Sequence, residues 1–256
     1  MPSAEAIAAL ELRSIHLAYG GLVALESVDL IARAGQVTGL IGPNGAGKTS
    51  LFDVVTGLTH PTRGRVILDG RDVTRLRPSS RARLGLGRTF QRLELFSSLT
   101  VRENVAVAAE AAHRVRVRPK RWHLFDSDAK AVVEEQLERV GLTEHAAARV
   151  DTLSTGLSRL VEVARALAAR PRLLLLDEPA SGLDASETDH LADILAALTA
   201  DGISVLLVEH DVELVMRICS EVVVLDRGAV LAVGPPAVVR QQREVRDAYL
   251  GQMAVS

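Results

Sequence analysis

One octapeptide constrains this chain more than any other stretch: Gly42-Pro43-Asn44-Gly45-Ala46-Gly47-Lys48-Thr49. It fits the pattern G-x-x-x-x-G-K-[ST], the phosphate-binding P-loop. Glycines let the backbone curl until successive N–H groups face phosphate oxygens. Lys48 adds a cation that reaches β- and γ-phosphates, and Thr49 offers a hydroxyl to Mg²⁺. A helix starting near Lys48 points its positive end at the same anion. The flanks agree: residues 36–41 (Gln-Val-Thr-Gly-Leu-Ile) read as a strand and residues 50–55 (Ser-Leu-Phe-Asp-Val-Val) as a helix. A chance lysine in a glycine-rich turn would lack that strand–loop–helix frame.

At 256 residues the chain suffices for one large domain, or a domain with a sub-domain. Aromatic residues make up only 3% against 48% hydrophobic, so the core must be built from Leu, Val, Ile and Ala. The formal net charge of −2 exerts no global pull on nucleic acid. Cys219 is the only cysteine, which excludes an internal disulfide and agrees with a reducing compartment. No apolar run approaches the about 20 residues that cross a bilayer. The start, Met1-Pro2-Ser3-Ala4-Glu5, lacks the basic region of a signal peptide. We expect a cytosolic chain that serves a membrane, if at all, by docking to another chain.

In chain order, residues 10–19 and 23–32 read as strands, and we expect them to flank the strand that leads into the loop. Residues 65–70 form a short strand closed by Gly70, and a helix starts at Pro78. Gly85 and Gly87 break the pattern before a short strand, Arg88-Thr89-Phe90-Gln91. Residues 100–112, 126–141 and the stretch after Ser154 are helical and lack clear strands between them, as expected of a helical insertion in an α/β core. Between the first two lies the basic run 113–123, with the only tryptophan. It reads as a solvated surface loop, or else as a docking surface for a partner or membrane phosphates. Helix–strand alternation then resumes. Apolar strands at 173–176, 203–208 and 221–226 are separated by helices at 188–198 and 211–220. In the latter, Val212, Val215, Met216 and Cys219 share one side. A hairpin at 229–233 and two short helices complete the chain.

The run Leu173-Leu174-Leu175-Leu176 ends in Asp177-Glu178, two carboxylates at the C-terminal end of a buried strand, where ligands of open α/β sheets bind. Asp177 is suited to hold Mg²⁺, and Glu178 to polarise an attacking water. Of seven histidines, His210 alone directly follows an apolar strand run, within reach of a γ-phosphate. Gln91, at the end of a short strand, can reach both Mg²⁺ and the attacking water without carrying charge.

Together these motifs resemble the ATP-binding subunit of an ATP-binding cassette (ABC) transporter, over almost the whole chain. The resemblance rests on residues 42–49, Gln91, Leu153-Ser154-Thr155-Gly156-Leu157 (the signature), Leu173 to Asp177 with Glu178, Ser181-Gly182-Leu183-Asp184 (the D-loop) and His210. It implies an α/β P-loop NTPase core with a mixed sheet, an N-terminal antiparallel β-subdomain and an inserted helical subdomain at about 95–165, within one domain spanning 8–252. It implies ATP and Mg²⁺ as cofactors, with Tyr19 stacking on adenine, residues 42–49 and Ser50 holding phosphates, and Thr49, Gln91 and Asp177 around the metal. Glu178, His210 and Gln91 are then the catalytic set. Two such chains would pack head to tail, with Ser154, Gly156 and Asp184 of one completing the ATP site of the other.

The family's signature usually reads Leu-Ser-Gly-Gly-Gln, so Thr155 and Leu157 are departures. Ser154 and Gly156 remain, and activity is expected. Several stretches are similar to ATPases of branched-chain amino-acid importers: residues 19–25, Gly87-Arg88-Thr89-Phe90-Gln91 with Leu95-Phe96, residues 99–104, Val208-Glu209-His210-Asp211 with Val215-Met216, and Ala248-Tyr249-Leu250-Gly251. That subfamily implies two permease subunits, a second ATPase subunit (identical or not) and, indirectly, a solute-binding protein, at the cytoplasmic face of the membrane. The alternative is an ABC ATPase acting on DNA or the ribosome. Such proteins usually carry a long coiled coil or tandem cassettes, which one P-loop in this length does not accommodate. A kinase or GTPase would lack the signature, the D-loop and His210.

Overall fold

The computed structural model describes residues 8–89, 94–116 and 125–253, with side chains described for 8–89, 94–112 and 129–248. Gln91, Trp122 and most of the basic run therefore lie outside the described residues. Alternation builds the first sheet. Strands β1 (Ala8–Tyr19) and β2 (Leu22–Arg33) pair antiparallel. Leu10, Leu12, Ile15 and Leu17 of β1 are buried, as are Leu25, Val28, Leu30 and Ala32 of β2. The step of three from Leu12 to Ile15 marks a register shift, with Ser14 between them at φ 47. The Ser14 N–H donates to the Asp29 carboxylate at 2.8 Å, which holds this irregularity. The two-residue β5 (Arg71–Asp72) was not foreseen, and it pairs with β4 (Arg63–Leu68) to give the order β2-β1-β4-β5.

The second sheet is mixed. Its parallel strands are β3 (Val37–Ile41), β6 (Leu86–Arg88), β7 (Leu173–Asp177), β8 (Ser204–Val208) and β9 (Glu221–Asp226), and β10 (Ala229–Gly234) returns antiparallel, in the order β10-β9-β3-β8-β7-β6. This corrects one expectation. β3 runs between β8 and β9, and the first two strands belong to the other sheet. The burial patterns give the reason: β3 is buried at every position, as a central parallel strand must be, whereas β1 and β2 bury one face each. β6 also starts earlier than expected, at Leu86, and Gly87 lies inside it. There a Cβ would come within 3.1 Å of Pro171, so glycine suits the strand rather than breaking it.

The unbroken apolar strands face two cores. Leu173 and Leu175 join one, Leu174 and Leu176 the other; the same alternation divides Val205 and Leu207 from Leu206 and Val208, and Val222 and Val224 from Val223 and Leu225. One core is closed by the antiparallel sheet and helix α1 (Lys48–Thr56). Beyond α1 lies the short α2 (Pro78–Arg83). The other core holds α3 (Val101–Arg116), α4 (Phe125–Arg139), α5 (Thr155–Ala168), α6 (Ala185–Ala200) and α7 (Val212–Ile218), and α3, α4 and α5 pack on one another. α8 (Pro236–Val239) and α9 (Arg243–Met253) end the chain.

Two helices differ from expectation. α6 begins at Ala185 because Asp184 and Glu187 form a capping box, a polar signal that the apolar stripe did not carry. In α7, Leu214 and Val215 are buried while Val212 is 37% exposed, so Val212 does not share the buried side. Asp211 caps this helix by accepting from Leu214 N at 3.0 Å, which turns Val212 outward in the first turn. Among the described residues no helix is long and apolar enough to cross a membrane.

Candidate nucleotide site

The loop 42–47 joins the end of β3 to the start of α1. A Cβ at Gly42 would lie 2.1 Å from the Leu225 carbonyl oxygen, so only glycine lets the chain leave β3 this close to β9. The Gly228 N–H donates to the Ala46 oxygen at 2.9 Å and ties the loop to the β9–β10 turn. α1 starts at Lys48 with no side-chain cap, so its first N–H groups remain available to an anion. Lys48 is buried and donates from Nζ to the carbonyls of Gly42 at 2.6 Å and Pro43 at 3.1 Å. An ammonium has three donors, so one remains for a phosphate. Burial pulls its pKa down, against the opposing pull of Glu178 and Asp177.

A cavity of about 480 Å³ opens over this loop. Residues 44–50 form its floor, which brings Asn44, Gly45, Ala46, Gly47, Lys48, Thr49 and Ser50 together. Leu22, Val23 and Ala24 wall one side, with Glu178, Val208, His210 and Arg227 on the others. His210 Nε2 lies 2.7 Å from Glu178 Oε1. Glu178 takes φ 51, a conformation that non-glycine residues rarely adopt and that commonly marks functional strain. Its N–H donates to the Val208 carbonyl at 2.8 Å, so the turn after β7 is held against the end of β8.

Asp177 is 4% exposed at the end of β7. Burial pushes its carboxyl up, while Arg88 pulls it down. Arg88 was passed over as a site residue. One guanidinium nitrogen donates to Asp53 of α1 at 2.8 Å and the other to Asp177 at 3.4 Å, with the guanidinium carbon 5.6 Å from the centre of the Phe52 ring. Thr89 adds a second tether, since the Asp177 N–H donates to its hydroxyl at 3.3 Å. Among the described residues no group of three or more His, Cys, Asp or Glu is arranged to hold a metal. Thr49 lines the cavity; Asp177 does not, but it stands close enough to act on the Lys48 charge, and both carry the hard oxygen donors that Mg²⁺ takes together with phosphates and water.

Other expected site residues lie apart from this cavity. Tyr19, at the end of β1, is 50% exposed and does not line it, although its hairpin partner Leu22 does. Ser154 caps α5, accepting from Leu157 N at 3.2 Å, and neither Ser154 nor Gly156 reaches the cavity of its own chain. Asp184 caps α6, accepting from Glu187 N at 2.8 Å. The signature nevertheless touches this helix start: a Cβ at Gly156 would lie 2.3 Å from the Glu187 carboxylate, and one at Gly182 would lie 3.1 Å from the Thr155 methyl. The departures thus have places. Thr155 packs on the D-loop, and Leu157 packs against the larger core. Arg227, which lines the cavity, was missed as well; its signal was a turn next to an apolar strand.

Comparison with known proteins gives the family. The family described as ABC transporter matches residues 25–181. The chain is 40% identical over 249 residues to the high-affinity branched-chain amino acid transport ATP-binding protein BraF of Pseudomonas aeruginosa, covering 95% of this chain and 98% of that one. Among solved structures it resembles an ABC transporter cassette in its ADP conformation (TM-score 0.83, 28% identity, covering 95% and 99% of the two chains). It also resembles a bacterial ABC transporter cassette solved as a dimer (TM-score 0.77, 26% identity, covering 89% and 98%). Sequence, fold and site agree: the chain belongs to the ABC transporter family, as an ATP-binding cassette.

Proposed function

We propose that this chain is the ATP-hydrolysing subunit of an importer for branched-chain amino acids or related small solutes. One observation carries the chemistry: Glu178 and His210, 2.7 Å apart, line the same cavity as Lys48, Thr49 and Ser50. In this reading the loop 42–50 holds the ATP phosphates, Lys48 neutralises charge on the β- and γ-phosphates, and Glu178 orients and deprotonates the attacking water. His210 steadies Glu178 and reaches the γ-phosphate. Thr49, Asp177 and Gln91 would hold Mg²⁺, which supplies charge stabilisation when bound. Tyr19 would stack on adenine.

The cavity lacks a contribution from Ser154 of its own chain, which favours a head-to-tail pair in which Ser154, Gly156 and Asp184 serve the partner's ATP. Residues 8–252 would form the ATPase domain, with 95–165 its helical subdomain. Two permease subunits, a second ATPase subunit and, indirectly, a solute-binding protein complete the proposed complex at the cytoplasmic face of the membrane. The likeness to BraF supports the solute class.

The Glu178→Gln variant should retain ATP and slow hydrolysis by at least about a hundredfold, read as phosphate release. Hydrolysis at the wild-type rate would remove Glu178 from the mechanism. Affinity purification from the native membrane should recover integral permeases, and recovery of ribosomes or DNA instead would overturn the importer assignment.

A further inference from the structure

Glu209 is 4% exposed, and no step of the proposed hydrolysis calls on it. Its partners are backbone N–H groups. Oε1 accepts from Ala180 at 2.7 Å and Oε2 from His210 at 3.0 Å. These donors belong to two separate loops. Ala180 lies in the turn that follows β7 and carries Glu178; His210 lies in the segment that follows β8. One buried carboxylate therefore joins the segment bearing the general base to the segment bearing the histidine that contacts it.

The chemistry demands an acceptor with no donor. A carboxylate offers an acceptor oxygen to each loop, so it satisfies both N–H groups at once. Glutamine has the same length but presents an NH₂ where an N–H already points, leaving a buried donor facing a donor. Aspartate keeps the charge but falls a methylene short of one loop. Glu178, at φ 51, depends on outside contacts to keep its conformation. The Glu209 clamp supplies such contacts on the side away from the cavity.

We infer that Glu209 is a positioning residue for ATP hydrolysis, a buried carboxylate that sets the Glu178–His210 geometry by gripping the two loops that carry them. The inference rests on the assignment of hydrolysis to Glu178. It is independent of which solute is carried and of what the permeases are.

The test compares Glu209→Gln, Glu209→Asp and Glu178→Gln in the purified full chain with MgATP. Glu209→Gln should lower kcat about tenfold or more while KM for ATP stays within about twofold, the pattern of an interaction used only in the transition state. Glu209→Asp should fall between this variant and wild type. Amide exchange should accelerate at Ala180 and His210 in the glutamine variant, with α1 and the residue 42–47 loop unchanged. A folded Glu209→Gln protein with wild-type kcat overturns the inference, as does an equal loss of ATP affinity. If the glutamine variant does not fold, Glu209→Asp and the wild-type exchange rates decide: fast exchange of those two amides in the wild type also overturns it. Wild-type hydrolysis by Glu178→Gln would instead sink the assignment of the base, while the exchange data still report on the clamp.

Discussion

At Asp177 two forces oppose each other. Burial at the end of β7 disfavours the charged carboxylate, and the Arg88 guanidinium favours it. Arg88 serves Asp53 and Asp177 with separate nitrogens, at 2.8 and 3.4 Å, so it also ties the strand carrying Asp177 to the helix that opens the phosphate loop. A lysine has one ammonium and cannot reproduce a planar two-way fork. Arg88→Lys should therefore lower ATPase kcat by about tenfold, equivalent to about 1.4 kcal/mol of barrier, measured as steady-state phosphate release. An unchanged kcat would mean that Asp177 keeps its place without the fork. Asp177, Glu178 and His210 were legible in the sequence because each stands at or just past the end of an apolar strand. Arg88 was not, because its partners stand 35 and 89 positions away, and no local pattern reports that distance.

Helix α1 shows the same limit at the scale of an element. Its start was readable from the loop and Lys48, but its end is secured from elsewhere. The last carbonyls of any helix lack intrahelical donors, and a cation there also complements the dipole. Arg81 of α2 is 0% exposed and donates to Val54 O and Val55 O at 2.6 Å each, to Thr74 O at 2.9 Å and to Leu76 O at 3.1 Å. Burial pulls its pKa down to about 10, so it remains charged at neutral pH. Arg81→Met fills similar space but takes the guanidinium donors from these carbonyls, of which Val54 O keeps the Gly57 N–H at 3.2 Å. We expect a loss of about 3 kcal/mol, which lowers Tm by about 6–12 °C in a thermal melt. A shift below about 2 °C would show that water replaces the guanidinium. Among the arginines of its basic surroundings Arg81 looks like another solvated side chain, because burial of a charge depends on acceptors contributed by other segments.

Across the whole molecule, the central sheet divides the apolar side chains into two cores, and Cys219 belongs to the larger one. Its sulfur lies over β3, where a Cβ at Gly39 would come within 2.9 Å of Sγ. Burial pushes the thiol up to about 12, with Glu209 adding to the effect. The folded protein thus keeps its proton where an unfolded chain would lose it. The stability that this difference represents is intact below the ordinary thiol value and is lost as pH rises from there to about 12. At pH 8, alkylation of Cys219 should run at least about a hundredfold slower in native protein than in denaturant, followed by mass spectrometry. Equal rates would mean that this region of the core opens freely.

The sequence by itself determined the strand–loop–helix of the phosphate site, the buried parallel strands and the carboxylates and histidine that follow them. Those features repeat at the period of a local element or sit next to it in the chain, so local stereochemistry dictates them. Tertiary structure alone decided that β3 lies between β8 and β9, and that Arg88 and Arg81 are held inside by distant acceptors. It alone placed Thr155 against Gly182, and brought one buried carboxylate, Glu209, to the two segments that carry Glu178 and His210. Each of these depends on which segments the sheet order makes neighbours, and that order is set by burying both faces of the central strands at once.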